Sequence, residues 1–300
     1  MKKTILATLV GSVILSGCFF DSDDPASVSK EVQAYDPAIF GITSTFECED
    51  GSKGTTAKSD VKGLVYIDAP TFVSAPETCS IEFGPTAGAK DMSNGKDLSK
   101  AVYSAPKGLF SADAPAAATP LSTLIAKTLE AQGVEEYDES TALEVMKDLG
   151  LDAIFNNNNI SVADLLTAPE ATIAKLPAKD LTVVSATNTV LSDALVAQPN
   201  KPVADIAKVT KVIAEDVVAK NPDYPKGNNG EDVVYVDVGD VLGDDAIFEE
   251  VVKVDDPKDL PSDITDKTDK PTVGEPVDPE DPTGGTGGTG GDGGVGDGNG

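Results

Sequence analysis

Thr119-Pro120-Leu121-Ser122-Thr123-Leu124-Ile125-Ala126-Lys127-Thr128-Leu129 is the stretch at which the period of the chain changes. Thr119 supplies a cap, Pro120 suits the first helical position, and Leu121, Leu124, Ile125 and Leu129 line one face until Gly133 stops the run. Four more helices are predicted beyond it. One opens at Ser140 or Thr141, with Glu144 completing a capping box and Leu143, Met146 and Leu149 turned inward, and ends at Gly150. A short one begins at Ser161 with Asp164 and carries Val162, Leu165 and Leu166. The fourth runs from Asp180 to Gln198 on Leu181, Val184, Leu191 and Leu195, and the fifth follows Pro202 with Val203, Ile206, Val209, Ile213 and Val217 on one stripe. Each has one apolar face to bury, so 119–220 reads as a bundle. Asn156-Asn157-Asn158-Asn159 reads as a loop between two of its helices.

Upstream, the period is that of strands. Phe40 to Cys48, Gly63 to Asp68, Thr78 to Phe83 and Ala101 to Ser104 are short runs rich in branched and aromatic residues, broken by glycine, proline and asparagine. They place a small β domain at 35–110, joined to the bundle by an Ala/Pro hinge at 111–118. Cys48 and Cys79 lie within it, and a disulfide between them restricts the unfolded chain by roughly 3 to 4 kcal/mol, a large share of a small domain's stability. After Lys220 the chain turns acidic: from Asn221 onward 21 acids face 5 lysines, a net of −16. Val233 to Val238 and Ala246 to Val254 form a candidate hairpin within 221–254, whereas 255–300 is expected to be a disordered tail, first acidic and proline-broken, then glycine-rich. The expected fold class is α+β, a disulfide-pinned β domain followed by an α-helical bundle.

Met1-Lys2-Lys3, the apolar run Thr4 to Leu15 and the small-residue exit describe a secretory signal peptide at 1–17, too short to span a bilayer. Leu15-Ser16-Gly17-Cys18 resembles the lipobox of bacterial lipoproteins. That resemblance implies that Cys18 becomes the first mature residue and that its sulfur carries a diacylglyceryl group with palmitate-type chains, followed by a tether at 18–34. Phe19, where an aspartate is associated with inner-membrane retention, implies the outer membrane. A second resemblance lies at Thr119-Pro120-Leu121-Ser122-Thr123-Leu124 with Asp148-Leu149-Gly150-Leu151, which is similar to a module of bacterial surface lipoproteins and adhesin-like proteins. It covers about 110 to 155, with Ser122 where threonine is commoner, and it carries caps and core positions but no catalytic residue.

Composition narrows the chemistry further. The formal charge of −28 becomes −30 once the two leader lysines are removed, leaving 21 lysines against 51 acids. Such a surface repels nucleic acid. The sequence contains no arginine, histidine or tryptophan, which removes Ser/His/Asp and Cys/His constellations, histidine-bearing metal sites and bidentate anion recognition. No cofactor or metal site is expected. The expected protein is a non-enzymatic envelope lipoprotein, bound to the membrane through Cys18, that displays binding or structural domains to other envelope or extracellular components. The alternative is a calcium-dependent adhesin or matrix protein, motivated by Asp21, Asp23 and Asp24 and by Asp237, Asp240, Asp244 and Asp245, although none of these fits the EF-hand frame. A carboxylate-pair glycosidase ranks last, since only 5% of the residues are aromatic.

Overall fold

The computed structural model of the chain describes residues 28–227, 230, 232–280 and 282. The stretch expected to be a signal peptide, Cys18 and the glycine-rich end therefore lie outside the described residues. Strands dominate the first part: β1 (Lys30–Ala34), β2 (Ile39–Phe40), β3 (Thr43–Cys48), β4 (Lys53–Thr55), β5 (Leu64–Ile67), β6 (Cys79–Gly84), β7 (Lys90–Asp91), β8 (Tyr103–Ala105) and β9 (Ala117–Ala118), with helix α1 (Pro70–Ser74) before β6. The main sheet has the order β4-β3-β6-β8, all antiparallel, and a second sheet has the order β5-β1-β9. Cys48 and Cys79 stand directly opposite each other at one end of the β3–β6 pairing and form the expected disulfide. Behind the sheet Phe72 is fully buried, with Phe46 edge-on at 5.3 Å and Phe110 at 6.3 Å between ring centroids.

The helices are α2 (Pro120–Gln132), α3 (Glu139–Asp148), α4 (Asp152–Asn158), α5 (Val162–Thr167), α6 (Pro169–Ile173), α7 (Ala178–Ala197) and α8 (Val203–Lys220). Thr119 caps α2 reciprocally with Ser122, and Gly133 ends it in the left-handed conformation at φ 71°. The same cap chemistry opens α5, where Ser161 and Asp164 form a capping box. Helix α3 begins at Glu139, ahead of Ser140 or Thr141, because Asp138 accepts from the Thr141 backbone N–H. The capping oxygen nearest the turn wins over the box with Glu144. Leu143 is 48% exposed, not inward as expected, since Ala142, Val145 and Met146 already fill the buried face. The asparagine run is not a loop: it closes α4, with Asn159 supplying the left-handed cap at φ 52°.

Three further expectations change with packing. The tether of 18–34 ends early, because Lys30–Ala34 is the central strand of the second sheet, with Val32 and Ala34 fully buried. Five residues of weak alternation carry too little signal for a strand until β5 and β9 hold them on both sides. Lys30 donates from Nζ to the carbonyls of Ser111 (2.8 Å), Ala112 (2.9 Å) and Ala114. The 111–118 segment is thereby pinned, and Ala117 and Ala118 pair in parallel with Gln33 and Ala34, so it is no hinge. Finally, one contiguous apolar core runs from Val32 to Ile264, so the β region and the helices share it.

The chain beyond α8 departs most from expectation. β10 (Val234–Tyr235) pairs not with Ala246–Val254 but with β11 (Thr272–Val273), while α9 (Gly239–Leu242), α10 (Asp245–Val251) and α11 (Ser262–Asp269) occupy the interval. The 255–280 region, expected to lack structure, thus forms a strap. Ile264 and Thr268 are fully buried against α8, Asn221 donates to the Thr268 carbonyl at 2.9 Å, and Lys220 pairs with Asp269 at 2.6 Å. The strap then crosses to the β region, where the Glu275 N–H donates to the Asn94 carbonyl at 3.0 Å. An acidic composition predicts extension, but a few apolar side chains at helical spacing suffice once an apolar surface is already present.

Candidate functional site

The site is the seam where the 91–103 segment of the β region meets α7 and the 236–243 segment. Helix α7 is the reason a seam exists. It is buried on most of its circumference, not on one face as expected, and places Asn188, Ser192 and Asp193 inside together with Leu191 and Leu195. A helix enclosed in this way must satisfy each polar group it buries.

Two polar clusters do so. Lys96 Nζ lies 2.6 Å from Asp193 Oδ1 and donates to the Val236 carbonyl at 3.1 Å, and the second Asp193 oxygen accepts from the Val238 N–H at 2.9 Å. Lys96 and Asp193 are each 7% exposed. Burial disfavours both charges and pushes the Asp193 carboxyl up, whereas Asp193 holds the Lys96 ammonium above its ordinary range. The two directions pull oppositely on one proton. The short contact and the added backbone donor decide for the ionised pair.

The second cluster is centred on Asp36. Its Oδ2 accepts from the Tyr103 hydroxyl at 2.6 Å, its Oδ1 accepts from Asn188 Nδ2 at 2.6 Å, and the Tyr103 hydroxyl also lies 2.7 Å from Ser192 Oγ. Burial pushes the Asp36 carboxyl up to about 7 despite the hydroxyls of Ser192 and Tyr103, which favour its ionised form. Asp91 behaves likewise: burial raises it to about 6, against hydrogen bonds from Ser93 and Asn94.

Above this floor opens a cleft of about 480 Å³, whose walls include Lys100, Ser192, Asp237 and Gly239 as well as the ion pair. That is the size range of small-molecule sites. Three separate segments of the chain line it, as is usual at the meeting of two structural units. Its lining contains no aromatic ring on which a sugar could stack.

Of the residues singled out from sequence, Cys48 and Cys79 are joined on the far sheet, and Cys18, Asp21, Asp23 and Asp24 lie outside the described residues. Asp237 reaches the cleft with Asp240, but Asp244 caps α10 through the Ala246 N–H and Asp245 pairs with Lys201 at 3.3 Å. Among the described residues, no group of three or more acidic or cysteine side chains is placed to hold a metal ion. Sequence reasoning missed Asp36, Lys96, Ser192 and Asp193. A signal existed for α7 alone: Asn188 and Ser192 continue the four-residue spacing from Val184 and so fall on the apolar face. Lys96, in a glycine turn, offered none.

Comparison of the chain with protein-family models, with curated proteins and with solved structures finds no match. Among the described residues, no helix is long and apolar enough to cross a membrane.

Proposed function

We propose that this chain is an exported, non-enzymatic lipoprotein of the bacterial envelope, held at the outer membrane by acyl chains on Cys18, that presents the seam cleft to envelope or extracellular partners. The observation that carries this reading is how the cysteines are used. The chain has three, and the Cys48–Cys79 disulfide commits two of them to each other inside the β region. Stable disulfides belong to oxidising, exported compartments, and the remaining cysteine sits at the end of Leu15-Ser16-Gly17, where a lipobox ends. Two or three acyl chains make a lasting anchor without a spanning helix. The absence of histidine and arginine from the sequence and the full pairing of Lys96 with Asp193 favour binding over catalysis at the cleft.

The test is fractionation of cells that express the full chain with Cys18→Ser. The variant is expected in the soluble fraction with the native protein in the membrane fraction, and mass spectrometry of native material should find a diacylglyceryl-modified amino-terminal Cys18. Persistent membrane association of the variant, or an unmodified thiol, overturns the proposal.

A further inference from the structure

The Asp36 cluster does more than fill a seam. It is a hydrogen-bonded chain with a carboxyl at one end and a cleft-lining hydroxyl at the other: Asp36 Oδ2, Tyr103 hydroxyl at 2.6 Å, Ser192 Oγ at a further 2.7 Å. Each hydroxyl in such a chain donates once, so the direction of donation at one end dictates the direction at the other. With Asp36 ionised, Tyr103 donates to it and the Ser192 hydroxyl turns inward, toward the carboxylate or Tyr103. Only lone pairs of Ser192 are then left toward the cleft. With Asp36 protonated, the carboxyl donates to Tyr103, Tyr103 donates to Ser192, and the Ser192 proton is released to point into the cleft.

We propose that Asp36, Tyr103 and Ser192 form a proton-operated relay that switches Ser192 between hydrogen-bond acceptor and donor at the wall of the cleft. The relay spans the seam, with Asp36 and Tyr103 on the β side and Ser192 on α7. Asn188 Nδ2 donates to the second Asp36 oxygen at 2.6 Å, which leaves the Tyr103-facing oxygen as the one that takes the proton. The charged and titratable groups facing Asp36 come from every neighbouring segment: Tyr35 beside it, Asp91 from β7, Lys96 from the turn after it, Tyr103 from β8, and Tyr224 after α8. Lys96 favours the ionised carboxyl and Asp91 opposes it, but burial outweighs both and brings the switch near neutral pH.

The linkage has a definite sign. The folded chain holds the Asp36 proton more tightly than the unfolded chain, whose aspartates titrate near about 4. The stabilisation is complete below that value, is lost as pH rises toward about 7, and changes no further above it. Asp91 adds a similar dependence that ends near about 6.

Carboxyl carbon NMR on the folded full chain reads the switch directly. The Asp36 resonance is expected to titrate near pH 7, and in Tyr103→Phe, which removes a donor to the ionised form, it should titrate higher. A midpoint below about 5 in the native chain, or one unmoved by Tyr103→Phe, overturns the relay. If Tyr103→Phe does not fold, Ser192→Ala takes its place with the same expected direction. Denaturant unfolding supplies the second reading: the folding equilibrium should fall by up to about a hundredfold per pH unit between about pH 4 and 6, where Asp36 and Asp91 both contribute, and by up to about tenfold per unit from there to about 7, where Asp36 alone remains. Asp36→Asn should remove about half of the slope below about pH 6 and all of the part above it, leaving the share due to Asp91; an undiminished slope counts against Asp36. None of these outcomes depends on the fate of Cys18, so relay and anchor can fail separately.

Discussion

Two seams tie the late part of this chain to its β region, and they are built on opposite principles. The deep seam uses charge: Lys96 against Asp193, with Val236 and Val238 closing the remaining valences. The outer seam, the 255–280 strap, uses close backbone approach, with Glu275 and Val277 donating to the Asn94 and Met92 carbonyls, while a few ion pairs join the strap to α8. A buried charge stands only where every oxygen and proton has a partner, so the deep seam tolerates few alternatives. The strap needs only small residues where backbones meet, and its charges remain in water.

That contrast can be broken at three depths. The largest effect is expected from Lys96→Met, which leaves Asp193 buried with one backbone donor and should cost about 3–5 kcal/mol in denaturant unfolding. Lys96→Met combined with Asp193→Leu should recover most of this loss; a double variant as unstable as the single one would show that packing, not the uncompensated charge, sets the cost. Next comes Gly274→Ala. A Cβ there would stand 2.7 Å from both the Asn94 carbonyl oxygen and its Cβ, so the strap must lift from the β region. A loss of about 1–3 kcal/mol is expected, with faster amide exchange confined to the strap and its contacts. The smallest effect belongs to Lys208→Ala, which removes the 2.8 Å pair with Asp255, both members widely exposed. Its Tm should stay within about 1 °C of the native value, and a larger drop would mean that the strap is held by its surface charges after all.

How much could be read without coordinates follows from the range of the causes. Helices α2 and α5 were legible because cap and period lie within one segment, as at Thr119 to Gly133 and at Ser161 with Asp164, and α7 and α8, which have no side-chain cap, were legible from their apolar spacing. The β3, β5 and β6 runs were legible from branched and aromatic residues, and the cysteine pair from count and compartment. By contrast, Lys30–Ala34 reads as polar linker until β5 and β9 flank it, and Ser262–Asp269 reads as acidic coil until α8 offers Ile264 a surface. The site was the least legible part, since Asp36, Lys96 with Tyr103, and Ser192 come from three distant segments with no motif among them.

The sequence alone determined where the period turns from strand to helix and which residues start and stop the main helices, because caps, turns and apolar spacing act over a few residues. The tertiary structure decided that β region and helices share one core, that the acidic end folds back as a strap, and that Asp36 sits buried against Tyr103 while Asp164 merely caps α5 in solvent. The two aspartates are chemically identical. Burial raises the carboxyl of the first, while the Ser161 hydroxyl and N–H lower that of the second, and only the folded surroundings distinguish them.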